Sequence, residues 1–224
     1  MTASYRDTDP YDLPLYSQRE AAHVVGASPS TLRSWVAPSP GAGSPVIRLP
    51  RRSDGRLSFY NVIEAYVLNL IRQQHGVTMQ KVRRAVAYAE KELGIDRLLI
   101  RRELRWEDRG SLFWERLSTL IDLSRSGQFA MRHIMHAHLH RIEWDDDSGL
   151  PRRFFPLIAT GSDARGVVVD PKVGFGQPTV VGTGVGTAIV ARRIDAGEDL
   201  EAVARDYHVD PDILADALVY EGGA

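Results

Sequence analysis

The sequence predicts a mainly helical protein of the α+β class. Helix-capping residues precede apolar stripes of helical period at several places, and short β-prone runs flanking Gly-containing turns lie between these stripes. The 224 residues can form two or three small domains. We expect their boundaries at 1–93, 94–162 and 163–224.

The composition is that of an ordinary soluble chain, with 43% hydrophobic and 25% charged residues. No apolar run approaches the roughly 20 residues that a membrane-spanning helix needs, so no membrane partner is expected. The absence of cysteine excludes disulfides and thiolate metal sites and fits a reducing, cytoplasmic location.

The net charge of −1 conceals an asymmetry along the chain. Residues 1–110 carry 17 basic and 12 acidic side chains, which gives them a charge of +5, whereas the remaining residues carry 11 and 17, which gives −6. A basic front half and an acidic back half predict two different partners.

Two short capped helices near the N-terminus predict a helix-turn-helix over 17–36. Ser17 and Glu20 form a capping box for the first helix, which ends at Gly26. Ser28 caps the second helix, with Pro29 at its first position. The apolar residues of the pair predict a small core, formed by Ala21, Ala22, Val25, Leu32 and Trp35.

A basic hairpin is predicted directly after this motif. The β-prone runs 46–49 and 56–60 flank Asp54 and Gly55, and an Asp-Gly pair is typical of a tight hairpin turn. Such a hairpin would act as a wing that lies along DNA phosphates. Amphipathic helices are predicted next, over 62–71 and from Thr78 to the glycine at 94.

A helix with small polar side chains and an arginine can enter the major groove of DNA, and basic residues beside it can contact phosphates. The N-terminal segment is therefore predicted to bind double-stranded DNA. The predicted contact residues are Ser28, Ser30, Thr31, Arg33, Ser34, Arg48, Arg51, Arg52, Arg56 and Tyr60.

The middle segment mixes strand and helix patterns. A strand is predicted over 98–104, helices around 112–123 and 128–140, and a second hairpin that pairs 141–144 with 152–155. The three aspartates at 145–147 precede Ser-Gly and are interpreted as part of the hairpin turn, not as a magnesium site.

The four histidines between 133 and 140 lack the carboxylate spacing of a zinc helix, so no metal site is predicted there. Neither a nucleophile and base pair nor a nucleotide-binding glycine motif is defensible from spacing. We therefore expect neither enzymatic activity nor a cofactor.

The third segment begins with a β-branched run at 167–169 and a Gly-rich stretch interpreted as turns. Three short helices follow, over 187–195, over 199–207 and from Asp210, which caps the last one. This last helix contains no Lys or Arg, so phosphates would repel it and a protein partner is predicted instead. The predicted partner-binding residues are Asp210, Asp212, Asp216 and Tyr220.

The N-terminal motif resembles the start of MerR-like regulators. The resemblance rests on Tyr16-Ser17, on the run from Val25 to Trp35, on Phe59-Tyr60 before a helix, and on Gly76-Val77-Thr78 before the next. It implies a homodimer or higher oligomer with the second helix in the major groove. The chain departs from that family in lacking cysteines and a long dimerising helix after residue 93.

The stretch from Val168 to Gly184, with Ala196 to Tyr207, is similar to the 433 family of domains of unknown function. One departure is Gly184, where that family usually has arginine. The three-part order resembles a long VapB-like antitoxin. That resemblance implies a type II toxin-antitoxin system, a PIN-like ribonuclease toxin as partner, and autoregulation through operator DNA.

Two alternatives remain open from the sequence. A stand-alone MerR-like transcriptional regulator would hold a small ligand in the middle segment, near Trp106, Trp114 and Trp144. A hydrolase or nuclease would use aspartate and histidine groups such as Asp145 and His136.

Overall fold

The structure of the chain is a computed structural model that describes residues 9–37, 45–51, 53–73, 78–94, 96–102, 138–158 and 164–222. Within these ranges it has short two-stranded sheets and a majority of helix, which confirms the mainly helical α+β class. The α-helices are α1 (Gln18–Val24), α2 (Pro29–Val36), α3 (Phe59–Arg72), α4 (Met79–Leu93), α5 (Thr187–Asp195), α6 (Leu200–Tyr207) and α7 (Pro211–Gly222).

The helix-turn-helix of α1 and α2 forms as predicted. The amide of Glu20 donates to Ser17 Oγ (3.2 Å), and the amide of Ser17 donates to the Glu20 carboxylate (2.7 Å), so the capping box is complete. Gly26 takes the left-handed conformation (φ +66°) that turns the chain toward α2. All five apolar residues predicted for the core of this motif are buried.

The predicted wing is wrong for the described residues around it. Asp54 and Gly55 do form a turn, but the chain on either side of them forms no strand pair. Leu57 pairs instead with Tyr16, through hydrogen bonds of 2.9 and 2.7 Å. The reason is a second capping box, in which Ser58 and Asn61 start α3 at Phe59 and so override the β-prone pattern.

The first of the two runs predicted to form the hairpin, residues 46–49, is instead attached to the end of α2. The amides of Val46 and Ile47 both donate to the carbonyl of Trp35, which lies in the last turn of α2 and has no partner within the helix. Residues 45–51 therefore form a loop anchored at the end of this helix.

Helix α3 is the centre of the N-terminal core and is buried on nearly every side. Helix α4 begins after Thr78, whose side chain makes no capping bond, and ends at Gly94 in the left-handed conformation. The strand predicted over 98–104 is wrong, because Leu98–Ile100 form one turn of 3-10 helix that packs on α3. The helix predicted around 112–123 lies outside the described residues, as does most of the one around 128–140.

The second predicted hairpin is confirmed. Strand β1 (Ile142–Trp144) pairs antiparallel with β2 (Pro151–Phe154), with Ile142 opposite Phe154 and a register shift before Trp144. Phe154 also exchanges backbone hydrogen bonds with Val169 (3.0 and 2.8 Å). The hairpin thus connects directly to the start of the C-terminal region.

The C-terminal region combines strand β3 (Val167–Val168), strand β4 (Thr179–Val180) and helices α5, α6 and α7. It has a hydrophobic core of its own, whose buried members are Val167, Val180, Val190, Val203, Ala204, Leu214, Ala217 and Tyr220. The N-terminal core, by contrast, includes Leu98, Leu139 and Phe154 of the middle segment.

Candidate functional site

The outward face of α2 carries the residues predicted to contact DNA. Ser28, Ser30 and Arg33 are exposed, and Thr31 and Ser34 are half-buried. The opposite face, which includes Leu32 and Trp35, is buried. The sequence pattern therefore assigned the two faces of this helix correctly.

Hydrogen bonds inside α2 divide these polar residues into two groups. The hydroxyl of Ser28 accepts from the Thr31 amide (3.1 Å) and caps the helix, and that of Ser34 donates to the Thr31 carbonyl (2.6 Å). Ser28 and Ser34 thus have structural roles. The exposed Ser30 shares a hydrogen bond with the Ser28 hydroxyl (3.0 Å), and Arg33 is exposed and makes no ion pair with the described residues.

The arginines that follow α2 differ in whether they already pair with a carboxylate. Arg48 lies 3.2 Å from Asp96 and 3.8 Å from Glu90. Arg56 donates to the Leu15 carbonyl and lies 3.6 Å from a Glu20 oxygen. Arg51 is exposed, without an ion pair to any described residue, and Arg52 lies outside the described residues.

The assignment of Tyr60 to this surface is corrected by its burial. Only 6% of Tyr60 is exposed, and its hydroxyl donates to Asp9 (2.9 Å). The guanidinium of Arg97 lies over its ring, 5.4 Å from the centroid. Because α3 begins at Phe59, Tyr60 lies in the first turn of this helix and its side chain points inward. There its hydrogen bond to Asp9 holds the N-terminal residues against α3.

One exposed cation in the motif escaped the sequence interpretation. Arg19 is exposed on α1 and makes no ion pair with the described residues. In helix-turn-helix proteins the first helix crosses the DNA backbone, so a basic residue there can reach a phosphate. The sequence does indicate this exposure, because Arg19 precedes Glu20 of the capping box in the first turn of α1.

The predicted partner-binding residues separate into exposed and buried ones. Asp210 and Asp212 are exposed at the start of α7. The positive end of the helix dipole stabilises their negative charges there. Asp216 accepts from the Gly166 amide (2.9 Å), and Tyr220 is only 4% exposed. The buried Tyr220 ring packs against His23 of α1, so its assignment to a partner surface is corrected, whereas Asp216 is half-buried and its assignment stays a prediction.

A junction joins α1 to the C-terminal region. The hydroxyl of Tyr16 donates to the Gly176 carbonyl (2.7 Å), and the rings of His23 and Tyr220 lie 4.6 Å apart. A Cβ on Gly176 would lie 2.5 Å from the Tyr16 hydroxyl, closer than real contacts allow. Only glycine fits there.

Gly176→Ala is therefore expected to lower the free energy of unfolding by about 2–3 kcal/mol, through a steric clash and a left-handed backbone (φ +76°). Gly182→Ala is the matched control, because Gly182 has a similar φ (+83°) but nothing within 4 Å of the added carbon. It should lose only about 1 kcal/mol. Urea unfolding of both variants measures the difference, and equal losses would show that the contact with Tyr16 does not matter.

Most of the residues named for the ligand-binding regulator and for the hydrolase lie outside the described residues, and Asp145 lies in a turn. Asp145 accepts from the amide and hydroxyl of Ser148 (both 2.9 Å), and these hydrogen bonds lower its pKa. The interpretation of this cluster as a hairpin turn is confirmed. His136, Trp106 and Trp114 lie outside the described residues. Over the part of the chain that the structure describes, no cluster of side chains is suited to a metal ion, and no helix could cross a membrane.

The described residues thus include a helix-turn-helix that contacts a small helical C-terminal unit through a close junction. Residues 167–220 of that unit match a family described as "Protein of unknown function (DUF433)". This match confirms the similarity predicted for the C-terminal segment.

The chain is also similar over nearly its whole length to a curated mycobacterial protein and to a solved mycobacterial structure. It is 33% identical to the "Putative antitoxin VapB45" of Mycobacterium tuberculosis, over 93% of this chain and 94% of that one. A crystal structure of Rv2018 from Mycobacterium tuberculosis has a TM-score of 0.73 and 34% identity, covering 93% and 98% of the two chains. The chain belongs to the family of VapB45-like antitoxins.

Proposed function

We propose that this protein neutralises a PIN-like ribonuclease toxin and represses its own operon by binding operator DNA as a dimer. The observation that carries the proposal is the exposed face of α2 in a chain of an antitoxin family: it presents Ser30 and an Arg33 that makes no ion pair with the described residues. The whole-length similarity to VapB45 supports the toxin partner, and the geometry of α1 and α2 supports the DNA partner.

The charge distribution supports a division of labour between the two ends. Arg19, Arg33 and Arg51 are exposed in the N-terminal part and make no ion pair with the described residues. Helix α7 exposes Asp210 and Asp212 and contains no basic residue. Phosphates attract the first surface and repel the second, so DNA binds through the N-terminal motif and the toxin through the acidic end of α7.

Arg33→Ala is expected to weaken binding to the DNA upstream of this reading frame about tenfold, because one contact to a base or phosphate is lost. Fluorescence anisotropy at several salt concentrations measures the affinity and its salt slope. If Arg33 contacts a phosphate, the magnitude of the slope falls by about one.

Arg205→Ala is the matched control, since Arg205 is an exposed arginine on α6 with no ion pair to the described residues. It should leave both affinity and slope unchanged. An Arg33→Ala protein that binds like the native chain would remove α2 from the DNA interface.

The toxin-binding half is tested by co-purification with the product of the adjacent reading frame. Replacing Asp210 and Asp212 together by asparagine removes two exposed charges but keeps side chains that can cap a helix. We expect the affinity for the toxin to fall at least fivefold, mainly through slower association. Asp195→Asn, an exposed aspartate at the end of α5, is the control, and an equal effect of both variants would contradict the assignment.

A further inference from the structure

A cavity of about 490 Å³ lies at the junction between α1 and the C-terminal region. Helix α1 contributes Glu20, His23 and Val24 to its wall, and α5 and α7 contribute Ile189, Tyr220 and Glu221, among others. Its volume falls within the range of about 300–1,000 Å³ that is usual for small-molecule sites. Its wall contains no residue of α2 and neither Asp210 nor Asp212.

Two buried polar atoms in the wall have no hydrogen-bond partner among the described residues. They are Nε2 of His23 and the hydroxyl of Tyr220. An unpartnered buried group costs about 1–3 kcal/mol, so a fold does not usually retain two of them side by side. A bound molecule that donates hydrogen bonds would satisfy both, because each atom can act as an acceptor.

The protonation of His23 agrees with an acceptor role. Burial lowers its pKa from the ordinary value near 6.5, although the charge of Glu221 opposes the shift. The imidazole is therefore neutral at pH 7 and has one ring nitrogen with a free lone pair. The tautomer that places this lone pair on Nε2 matches a donor-rich ligand.

Carboxylates and apolar side chains complete the wall. Glu20 remains ionised at neutral pH: burial raises its pKa, but the hydrogen bonds from Ser17 and the charge of Arg56 outweigh this and lower it. Glu221 accepts from the Thr187 hydroxyl. No lysine or arginine lines the cavity, and Glu20 is paired with Arg56 outside the wall, so Glu221 is the carboxylate that favours a cation. Val24 and Ile189 offer apolar contact.

We propose that this cavity binds a small amphipathic amine. The ammonium group donates to Glu221, to Tyr220 and to Nε2 of His23, and the apolar body packs against Val24 and Ile189. Because the wall comes from both α1 and the C-terminal region, the ligand bridges the two parts of the chain. This binding activity goes beyond the antitoxin function and does not depend on it.

The test compares 2-phenylethylamine with phenylacetate, which have the same ring and opposite charges. Isothermal titration and thermal unfolding of the full chain should show binding of the amine and a rise in Tm, with phenylacetate at least tenfold weaker. Glu221→Gln should weaken amine binding about tenfold, and Tyr220→Phe should weaken it at least threefold. Glu201→Gln, an exposed glutamate on α6 outside the cavity, should change nothing.

A steric variant tests the position of the site. Ala188 is exposed and lines the cavity, so Ala188→Trp should abolish amine binding, whereas Ala196→Trp, at an exposed alanine outside the wall, should preserve it. The Tm of each variant without ligand shows whether it folds, and the Glu221→Gln result decides the matter if Ala188→Trp does not. The proposal is overturned if the amine fails to bind at millimolar concentration, if phenylacetate binds equally well, or if binding survives both Glu221→Gln and Ala188→Trp.

Discussion

Replacing Arg97 by alanine should lower the free energy of unfolding by about 3–5 kcal/mol, one of the largest effects of any single substitution in this chain. The guanidinium of Arg97 holds the Glu64 carboxylate through two contacts, of 3.0 and 3.1 Å, and lies 3.0 Å from Asp12. Glu64 is only 4% exposed, on the central helix α3. Without Arg97 its charge is buried and uncompensated.

The loss should also depend on pH in a defined direction. Burial raises the pKa of Glu64, and the charge of Arg97 opposes that rise. In the variant the opposing charge is gone, so Glu64 in the folded state holds its proton well above the unfolded pKa of about 4.3. The folded state then binds more protons than the unfolded state, so stability falls as pH rises above that value. The variant should be less impaired at pH 5 than at pH 7.

Urea unfolding at these two pH values measures both effects. Arg48→Ala is the control, since Arg48 also pairs with carboxylates but its side chain is 68% exposed, and it should lose no more than about 1 kcal/mol. The double variant Arg97→Met with Glu64→Gln should recover much of the loss, because no buried charge remains. A loss at Arg97 that is small and independent of pH would mean that the pair contributes little.

The second large effect is expected at Arg141, which is only 2% exposed. Its guanidinium donates to the carbonyls of Phe155 (3.4 Å), Pro156 (3.1 Å) and Ala164 (3.1 Å), and so ties the hairpin to the start of the C-terminal region. Arg141→Met keeps a long side chain but removes the donors. Because hydrogen bonds to a charged group contribute about 1.5–3 kcal/mol, we expect a loss of about 3 kcal/mol.

Thermal and urea unfolding check this loss. Arg152→Met is the control, because Arg152 lies on the same hairpin with its side chain 48% exposed, 3.4 Å from Glu143. Its loss should stay below about 1 kcal/mol. Hydrogen exchange would also distinguish the two, since only Arg141→Met should speed exchange of the Phe155 amide, which donates to the Arg141 carbonyl. Equal losses for both variants would contradict the assigned role.

The helices near the N-terminus were predictable from the sequence, because the residues that cap them lie within a few positions of each other. Ser17 with Glu20 and Ser28 with Pro29 each form a cap within four residues of chain, and both caps are predictable from spacing alone. The same rule explains the failure at the wing. Ser58 and Asn61 also form a capping box, which starts α3 at Phe59 although β-prone residues surround it. A complete capping signal outweighs β propensity, which depends on a partner strand.

The partners of buried polar side chains were not predictable in this way. Glu64 meets Arg97 across 33 positions, and Tyr16 meets Gly176 across 160 positions. Nothing in the local pattern of Tyr60 or Tyr220 distinguishes a buried phenol from an exposed one, because tyrosine suits both environments. The exposed face of α2 was predictable because helical period alone separates its two sides.

The junction at Tyr16 also limits how evolution or engineering can recombine this chain. The helix-turn-helix has a neighbour that must present a glycine opposite the Tyr16 hydroxyl and an aromatic ring opposite His23. A different C-terminal domain, joined at the same point, would leave a phenol and an imidazole facing solvent or facing a side chain that does not fit. The two ends of this protein are therefore not interchangeable modules, and a C-terminal domain exchanged into this chain has to keep Gly176 and the aromatic ring of Tyr220.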